Sequence, residues 1–478
     1  MRTFIKLSAL IAALSFTGVS QAQSTTFGQM QNMIPRDQRA INQFDVKKDS
    51  VEFKGLSIDL GGAFALQFQA MNSFNDQQGG TYVASNGAAI TNYRLNNLEN
   101  QFNLPTANMT IGAQLYDGVR VNLDLYLAAR HHNETWVKGG YLQIDKLDFI
   151  QKDFLAGFMK YATIKIGQME NNYGDAHFRR SDNGSALLNP FIESNIMDSF
   201  STEPGIEVYY NRSGLVSMVG VTNSKLNQNV GEIIPAAATL AAPNPNTTIS
   251  PTFLAKLGFD KQIDKDLRVR LTGSLYHCAN ISGNIYSSDR AGSRYYYVMS
   301  HAAFTNTALI SSSNATGAVT NNMTTDLAAN PTTGRFNPAF GNWSTNVMVN
   351  PFVKYKGLEF FGTIEFASGG DKKGVDTKRT VDQYTGDVVY RFGNNEKFYI
   401  GARYGTVSGK LANADAKAIT INRLESSLGW FMTKNIVAKL AYVNQDYKDF
   451  AQFDSKGTPN DFYGGNFEGL MFEAAISF

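Results

Sequence analysis

Residues 56–70 alternate without a break. Leu56, Ile58, Leu60, Phe64, Leu66, Phe68 and Ala70 fall in one phase, and Ser57, Asp59, Gly61, Gln67 and Gln69 in the other. A period of two puts every second side chain on one face of a strand, whereas a helix would scatter both sets around its axis. The run exceeds the about 9–11 residues that a tilted strand needs to cross a bilayer. Residues 469–478 repeat the pattern, with Leu470, Phe472, Ala474, Ile476 and Phe478 alternating with Met471, Glu473, Ala475 and Ser477. An outward-facing terminal Phe is costly in water and well placed in the interfacial aromatic band of a membrane barrel.

Between these two runs the chain repeats one scheme. Asp117-Gly118 joins alternating runs near 108–116 and 119–127, a strong hairpin signal. Lys356-Gly357 joins 345–355 to 358–367, residues 393–396 join 384–392 to 397–407, and residues 432–435 join 419–431 to 435–447. Long Asn/Ser/Thr-rich connections separate the pairs, the longest running from His277 to Trp343 and possessing its own short apolar run, Tyr295 to Met299, readable as a strand extension. The count is about sixteen strands, and connections alternate long and short, with the 129–135 and 147–161 segments as exceptions. A soluble sandwich has no reason to sort its loops by parity. The expectation is an all-β, transmembrane antiparallel β-barrel with short periplasmic turns and long extracellular loops. Residues 56–70 and the terminal strand are then expected to pair and close it.

The start of the chain reads as a signal peptide over residues 1–22: Arg2 and Lys6, a short apolar core from Leu7 to Val19, then small residues before Gln23. Residues 23–50 read as a periplasmic N-terminal extension and 51–478 as the barrel. Localisation follows as the outer membrane of a Gram-negative bacterium. Lys+Arg 43 against Asp+Glu 41 leaves +2, so any selectivity must come from where charges sit and nucleic acid is not an expected partner. Cys278 is the only cysteine, which excludes an intramolecular disulfide.

The alternation assigns faces. Tyr355, Phe392, Phe398, Trp430 and Phe478 fall outward at the short-turn end, as a membrane girdle would, and outer-membrane lipid is the partner they imply. The lumen phase holds Arg120, Lys165, Lys256, Arg268, Arg270, Arg391, Arg403, Arg423 and Lys439 against Asp59, Asp124, Glu207, Glu359, Glu365, Glu425 and Glu473. Such mixed lining is that of a hydrated channel for ions and small hydrophilic solutes. Arg268 and Arg270 make the most concentrated basic strip, either an anion ladder or a set of cross-strand ion pairs.

The connection 169–204 mixes apolar and charged residues, unlike its Asn/Ser-rich neighbours. That suits a loop folded into the lumen as the constriction, with His177, Arg179 and Arg180 at the opening; an outward loop with solvated arginines is the other reading. The five histidines, His131, His132, His177, His277 and His301, lack metal-ligand spacing, and neither a phosphate-cradling loop nor a GxSxG elbow occurs. No catalytic residue, metal or cofactor is expected. A non-conducting structural or adhesive barrel, with surface-binding loops, is the competing function. Phe478 is also a candidate tag for the barrel-assembly machinery.

The Gly167-Gln168 strand end with Tyr173-Gly174, the stretch Pro190-Phe191-Ile192-Glu193, and the segment from Trp430 to Gln445 before the Phe478 end resemble the phosphate-selective porin O and P family, in its Bacteroidetes-type form. The resemblance implies a sixteen-stranded, trimeric diffusion porin that favours anions such as phosphate. Arg179, Arg180, Arg268 and Arg270 are the residues onto which the family's basic path carries over, and the many lumen carboxylates depart from it.

Overall fold

The computed structural model describes residues 26–27, 30–83, 89–90, 93–127, 135–180, 184–225, 250–280, 285–287, 292–301, 333–370, 378–410, 418–453 and 459–478. The leader at 1–22 and the pair His131 and His132 lie outside the described residues.

Sixteen strands build one wall. In chain order they are β1 (Ser57–Phe74), β2 (Thr106–Tyr116), β3 (Val119–Tyr126), β4 (Trp136–Ile144), β5 (Ala162–Glu170), β6 (Thr202–Arg212), β7 (Leu215–Thr222) and β8 (Thr252–Gln262). They continue as β9 (Leu267–Cys278), β10 (Ser344–Tyr355), β11 (Leu358–Gly369), β12 (Arg379–Phe392), β13 (Phe398–Gly409), β14 (Ile419–Thr433), β15 (Ile436–Lys448) and β16 (Asn466–Ser477). Each pairs antiparallel with the next.

The cylinder closes between its first and last strands, from Ala63 opposite Ser477 to Phe74 opposite Asn466. On its other side β1 pairs with β2 through Ser57 to Ala65. The offset between those two registers is the stagger a tilted barrel requires. At the seam, the Gly62 and Phe478 peptide groups exchange hydrogen bonds of 3.0 Å in both directions.

Six connections at one end are short: 117–118, 213–214, 263–266, 356–357, 393–397 and 434–435. In the first, Gly118 takes φ +71°, and a Cβ there would lie 2.8 Å from the Lys146 backbone nitrogen. The Asp-Gly turn therefore needs its glycine for space as well as for backbone conformation. The long connections gather at the opposite end, with 145–161 the one long segment at the short-turn end.

The outer surface carries the apolar phase of every strand. Leu66, Phe366, Tyr390, Ile400 and Leu428 are exposed, and their neighbours one residue away are buried inside; Leu60 and Leu470 are exposed in the same phase. Together they make an apolar belt around the outside of the wall. Tyr355, Phe392, Phe398, Trp430 and Phe478 all face outward and exposed at the short-turn end. Phe392 stacks on Phe398 at 5.8 Å and Phe398 on Trp430 at 6.4 Å, a continuous row across three strands.

Folded chain also enters the bore, which the lumen charges alone did not announce. Residues 30–48 enter from the short-turn end: Phe44 packs between Phe352 and Phe361, and Lys48 reaches Asp145 at 2.5 Å. Residues 171–180 and 184–201 enter from the other end, where Tyr173, Ile192, Ile196 and Met197 pack against Met348, Val381, Val407 and Ile421 of the wall. Tyr295 to Met299 joins that cluster as a buried turn, not as the expected strand extension.

Candidate permeation path

Residues 171–180 and 184–201 are held in the bore by their charges as well as their apolar side chains. Arg270 donates to Asp175 through Nε at 2.7 Å and Nη2 at 3.0 Å, the Lys256 ammonium lies 3.0 Å from the same carboxylate, and the Thr272 hydroxyl donates to it at 2.7 Å. Gly174, at φ +72°, lets the backbone pass Met348, whose sulfur would lie 2.1 Å from a Cβ there. Farther along, Arg403 donates to the Glu193 carbonyl at 2.8 Å, Arg423 to the Ser194 carbonyl at 2.8 Å, and Lys439 to the Ala186 carbonyl at 2.6 Å. Gln383 both accepts from the Met197 amide and donates to its carbonyl, each at 2.8 Å. Buried carbonyls and carboxylates of an inserted loop need such donors, because no strand ladder serves them.

The wall arginines are therefore occupied. Arg268 pairs with Asp260 at 2.5 Å, Arg391 with Glu359 at 2.8 Å, Arg403 with Asp387 at 2.7 Å, and Lys439 with Glu473 at 2.7 Å, each on the neighbouring strand. Arg270 also reaches Asp45 of the N-terminal segment at 2.5 Å. Of the two readings of the Arg268–Arg270 strip, cross-strand pairing is the arrangement present. Neutralised by these partners, the groups brace the wall, and Arg270, Arg403 and Lys439 also tie it to the inserted chain.

Arg180 is buried in a two-point pair with Asp198, at 2.9 and 2.5 Å, and its guanidinium lies over Phe200. Arg179 is buried too, its guanidinium flat over Phe361 at 4.7 Å. Both line a small cavity of about 20 Å³ beside Asp198 and Arg403, apart from the larger one. His177 does line open space, its Nε2 2.9 Å from the Asn172 side-chain oxygen and its ring against Phe178.

That open space is a cavity of about 290 Å³ between the loop and the inner face of β2 to β6. Lys165 stands in it, its ammonium 5.3 Å from the Tyr141 ring centre and 5.0 Å from that of Tyr209. Among the described carboxylates none lies within ion-pair distance of Lys165. Its cross-strand partner Glu207 is turned instead to the Tyr209 hydroxyl and the Asn172 amide. Asp124, Glu170, Asn108, Thr110 and Thr163 complete a lining of both signs. Of the predicted site residues, the structure brings only Lys165 and His177 to this cavity.

Lys138 also lines it, and the alternation missed it. A register shift opposite Asp124 and Leu125 inserts Lys138 as an extra residue and turns it inward, over the rings of Tyr126 and Phe200. Arg294, Arg335 and Glu193 were missed for a different reason: they sit in connections without period. Arg335 pairs with Glu193 at 2.6 Å, and Ser293 donates to the same carboxylate at 2.8 Å. The apolar-plus-arginine composition that marked 169–204 is also present in 292–299 and could have marked that segment.

No family model matches the sequence, and no curated protein matches it. Among solved structures, the chain is similar to an anion-selective porin from Comamonas acidovorans, at 8% identity and a TM-score of 0.48, over 88% of this chain and all of that one. It is similar to the outer membrane channel DcaP of Acinetobacter baumannii at 11% identity and a TM-score of 0.46, over 90% and 99% of the two chains. For OprB of Pseudomonas putida the identity is 11% and the TM-score 0.46, over 89% and 94%. Likeness at this level carries no argument about what this chain does.

Proposed function

We propose that this chain is an outer-membrane porin, exported through its 1–22 leader, that passes ions and small hydrophilic solutes by diffusion. The observation that carries the reading is the cavity along β2 to β6, lined by charged groups of both signs, inside a barrel whose outward phase is mainly apolar. A buried polar cavity beside a lysine without a carboxylate partner is costly unless water and solutes occupy it. The constriction is assigned to Lys165 on the wall facing Asn172 and His177 on the loop. Lys165 supports a weak preference for anions, phosphate among them, which the carboxylates of Asp124 and Glu170 hold down. The aromatic row from Phe392 to Trp430, with Tyr355 and Phe478, is assigned to the interfacial girdle against lipid. Homotrimeric assembly and recognition of the terminal strand by the barrel-assembly machinery belong to the same reading, as the family resemblance implies.

The filled bore favours a second reading, a non-conducting structural barrel with surface-binding loops. Planar-bilayer recording of the purified protein in a salt gradient separates the two. Steady unitary currents with a reversal potential displaced towards anions support the porin. A protein that inserts and carries no current supports the closed barrel.

A further inference from the structure

The β4–β5 connection is the one long segment at the short-turn end, and it does not enter the bore. It folds outward. Met159, in the single helical turn Ala156–Met159, is buried against Ile144 and Ala162, with Leu142, Ile164 and Tyr210 packed around them. All five of these wall residues belong to the outward phase, since Ile144 and Leu142 pair with Ile164 and Ile166 of β5, and Ala162 with Tyr210 of β6. Phe158 stacks on Tyr210 at 5.6 Å. The connection is thus laid on the outside of the barrel, at the rim of its lipid-facing band.

Its far side is left apolar. Phe149, Ile150, Phe154, Leu155 and Phe158 are between 39 and 60% exposed. Leu155 stands at φ +52°, a conformation that bulky residues rarely adopt, at the point where the chain enters the helical turn. Five large apolar groups together on the rim of a barrel form a patch that water disfavours and an acyl boundary accepts. The backbone is equipped for that setting. The amides of Ile150, Phe154, Met159 and Tyr161 donate to the carbonyls of Leu147, Gln151, Leu155 and Phe158 at 2.9 to 3.0 Å. A segment that meets lipid must satisfy its own peptide groups. Lys160 and Arg212 ride over the Tyr161 ring at 5.6 and 5.0 Å, apolar stem inward and charge at the rim, as cations do at a headgroup boundary.

We propose that residues 147–161 form an interfacial anchor that inserts its apolar side chains into the phospholipid leaflet at the short-turn end and fixes the depth of the barrel there. Lipid is the occupant because the connection covers Leu142, Ile164 and Tyr210 on the outward apolar face of the wall, the face that leaves Ile166 and Ile206 exposed, and turns five further apolar side chains outward there. The inference rests on the barrel spanning a membrane and is independent of whether it conducts.

The test uses the full-length protein in phospholipid nanodiscs, with a Leu155→Cys variant carrying an environment-sensitive fluorophore and an Asn395→Cys variant as a rim control. Cys278 is buried and is changed to Ser in both. The expected result is a blue-shifted Leu155 site, quenched at least threefold more than the Asn395 site by phospholipids spin-labelled near the glycerol. Equal quenching at the two sites overturns the anchor. A Leu155 site that is blue-shifted, unquenched by lipid, and cross-linked between copies by oxidation overturns it too, in favour of a contact between protomers. The labelled variants report membrane depth alone, so loss of conductance in either leaves the result readable.

Discussion

Arg270 and Asp175 meet in a two-point pair, 2.7 and 3.0 Å, that ties the wall of β9 to the segment filling the bore. The same carboxylate also receives Lys256 at 3.0 Å, so one aspartate neutralises two buried cations. Removing it leaves Lys256 without a carboxylate while Arg270 keeps Asp45 and Asp260, and the loss of a partner from a buried pair costs about 3–5 kcal/mol. Asp175→Ala should lower the unfolding free energy in vesicles by that order and raise the open-channel noise as the loop loosens. An Asp175→Ala protein with wild-type unfolding and quiet current removes the strut role.

Lys165 shares the cavity with Lys138, and no described carboxylate lies within ion-pair distance of Lys165, whereas Arg179 and Arg270 are buried and Arg268 is paired. A unit charge about 4 Å from a passing ion is worth on the order of 1 kcal/mol in water, or about a fivefold change in occupancy. Lys165→Ala should therefore move the anion-to-cation permeability ratio towards cations by up to about that factor. Arg268→Gln should leave the ratio nearly unchanged. Reversal potentials in a salt gradient read both, and an equal shift in the two variants would falsify the assignment of the path.

The strands were legible because lipid outside and polar groups inside impose a strict period of two, and because the turns carry Asp-Gly and Lys-Gly. The end-to-end pairing of β1 with β16 followed from the same logic. The occupants of the bore were less so. Phe44 sits in a stretch with no period, and nothing in its neighbours announces that Phe352 and Phe361, which lie in the inward phase of distant strands, form its pocket. Lys138 was hidden by a register shift, which reverses the phase on which face assignment depends. Arg179 and Arg180 were placed in the right loop, yet composition does not tell a guanidinium facing solvent from one lying on Phe361 or paired with Asp198.

At the long-loop end His301 Nδ1 lies 2.9 Å from both carboxylate oxygens of Asp461, and the Tyr93 hydroxyl donates to the same carboxylate. The hydrogen bond to Asp461 raises the histidine pKa above its ordinary value, with burial opposing it. A raised pKa means that the latch contributes fully at pH below about 6.5, the ordinary histidine value, and is lost as pH rises through the raised one. Hydrogen exchange of the Asn96 amide, which donates to the Ser300 carbonyl at 2.8 Å, should stay slow in acid and quicken above that point after correction for intrinsic rates. His301→Gln should flatten the profile. A wild-type profile that is already flat rules the latch out.

Phe44 lies inside the barrel against β10 and β11. It is buried between Phe352, at 5.1 Å edge-on, and Phe361, at 6.0 Å stacked, and the Arg270 guanidinium lies 4.9 Å from its ring centre. It also touches Phe178 of the inserted loop, at 6.1 Å, so one side chain joins the N-terminal segment, the wall and the loop. Phe44→Ala should cost about 3–5 kcal/mol, the usual loss for emptying a buried phenylalanine site. It should also raise single-channel conductance, because the Asp45 to Arg270 contact depends on the same anchorage. Phe44→Leu keeps most of the volume and should restore most of both. If Phe44→Ala destabilises the protein while conductance and its voltage dependence stay at the wild-type level, the N-terminal segment is a structural filler and not part of the path.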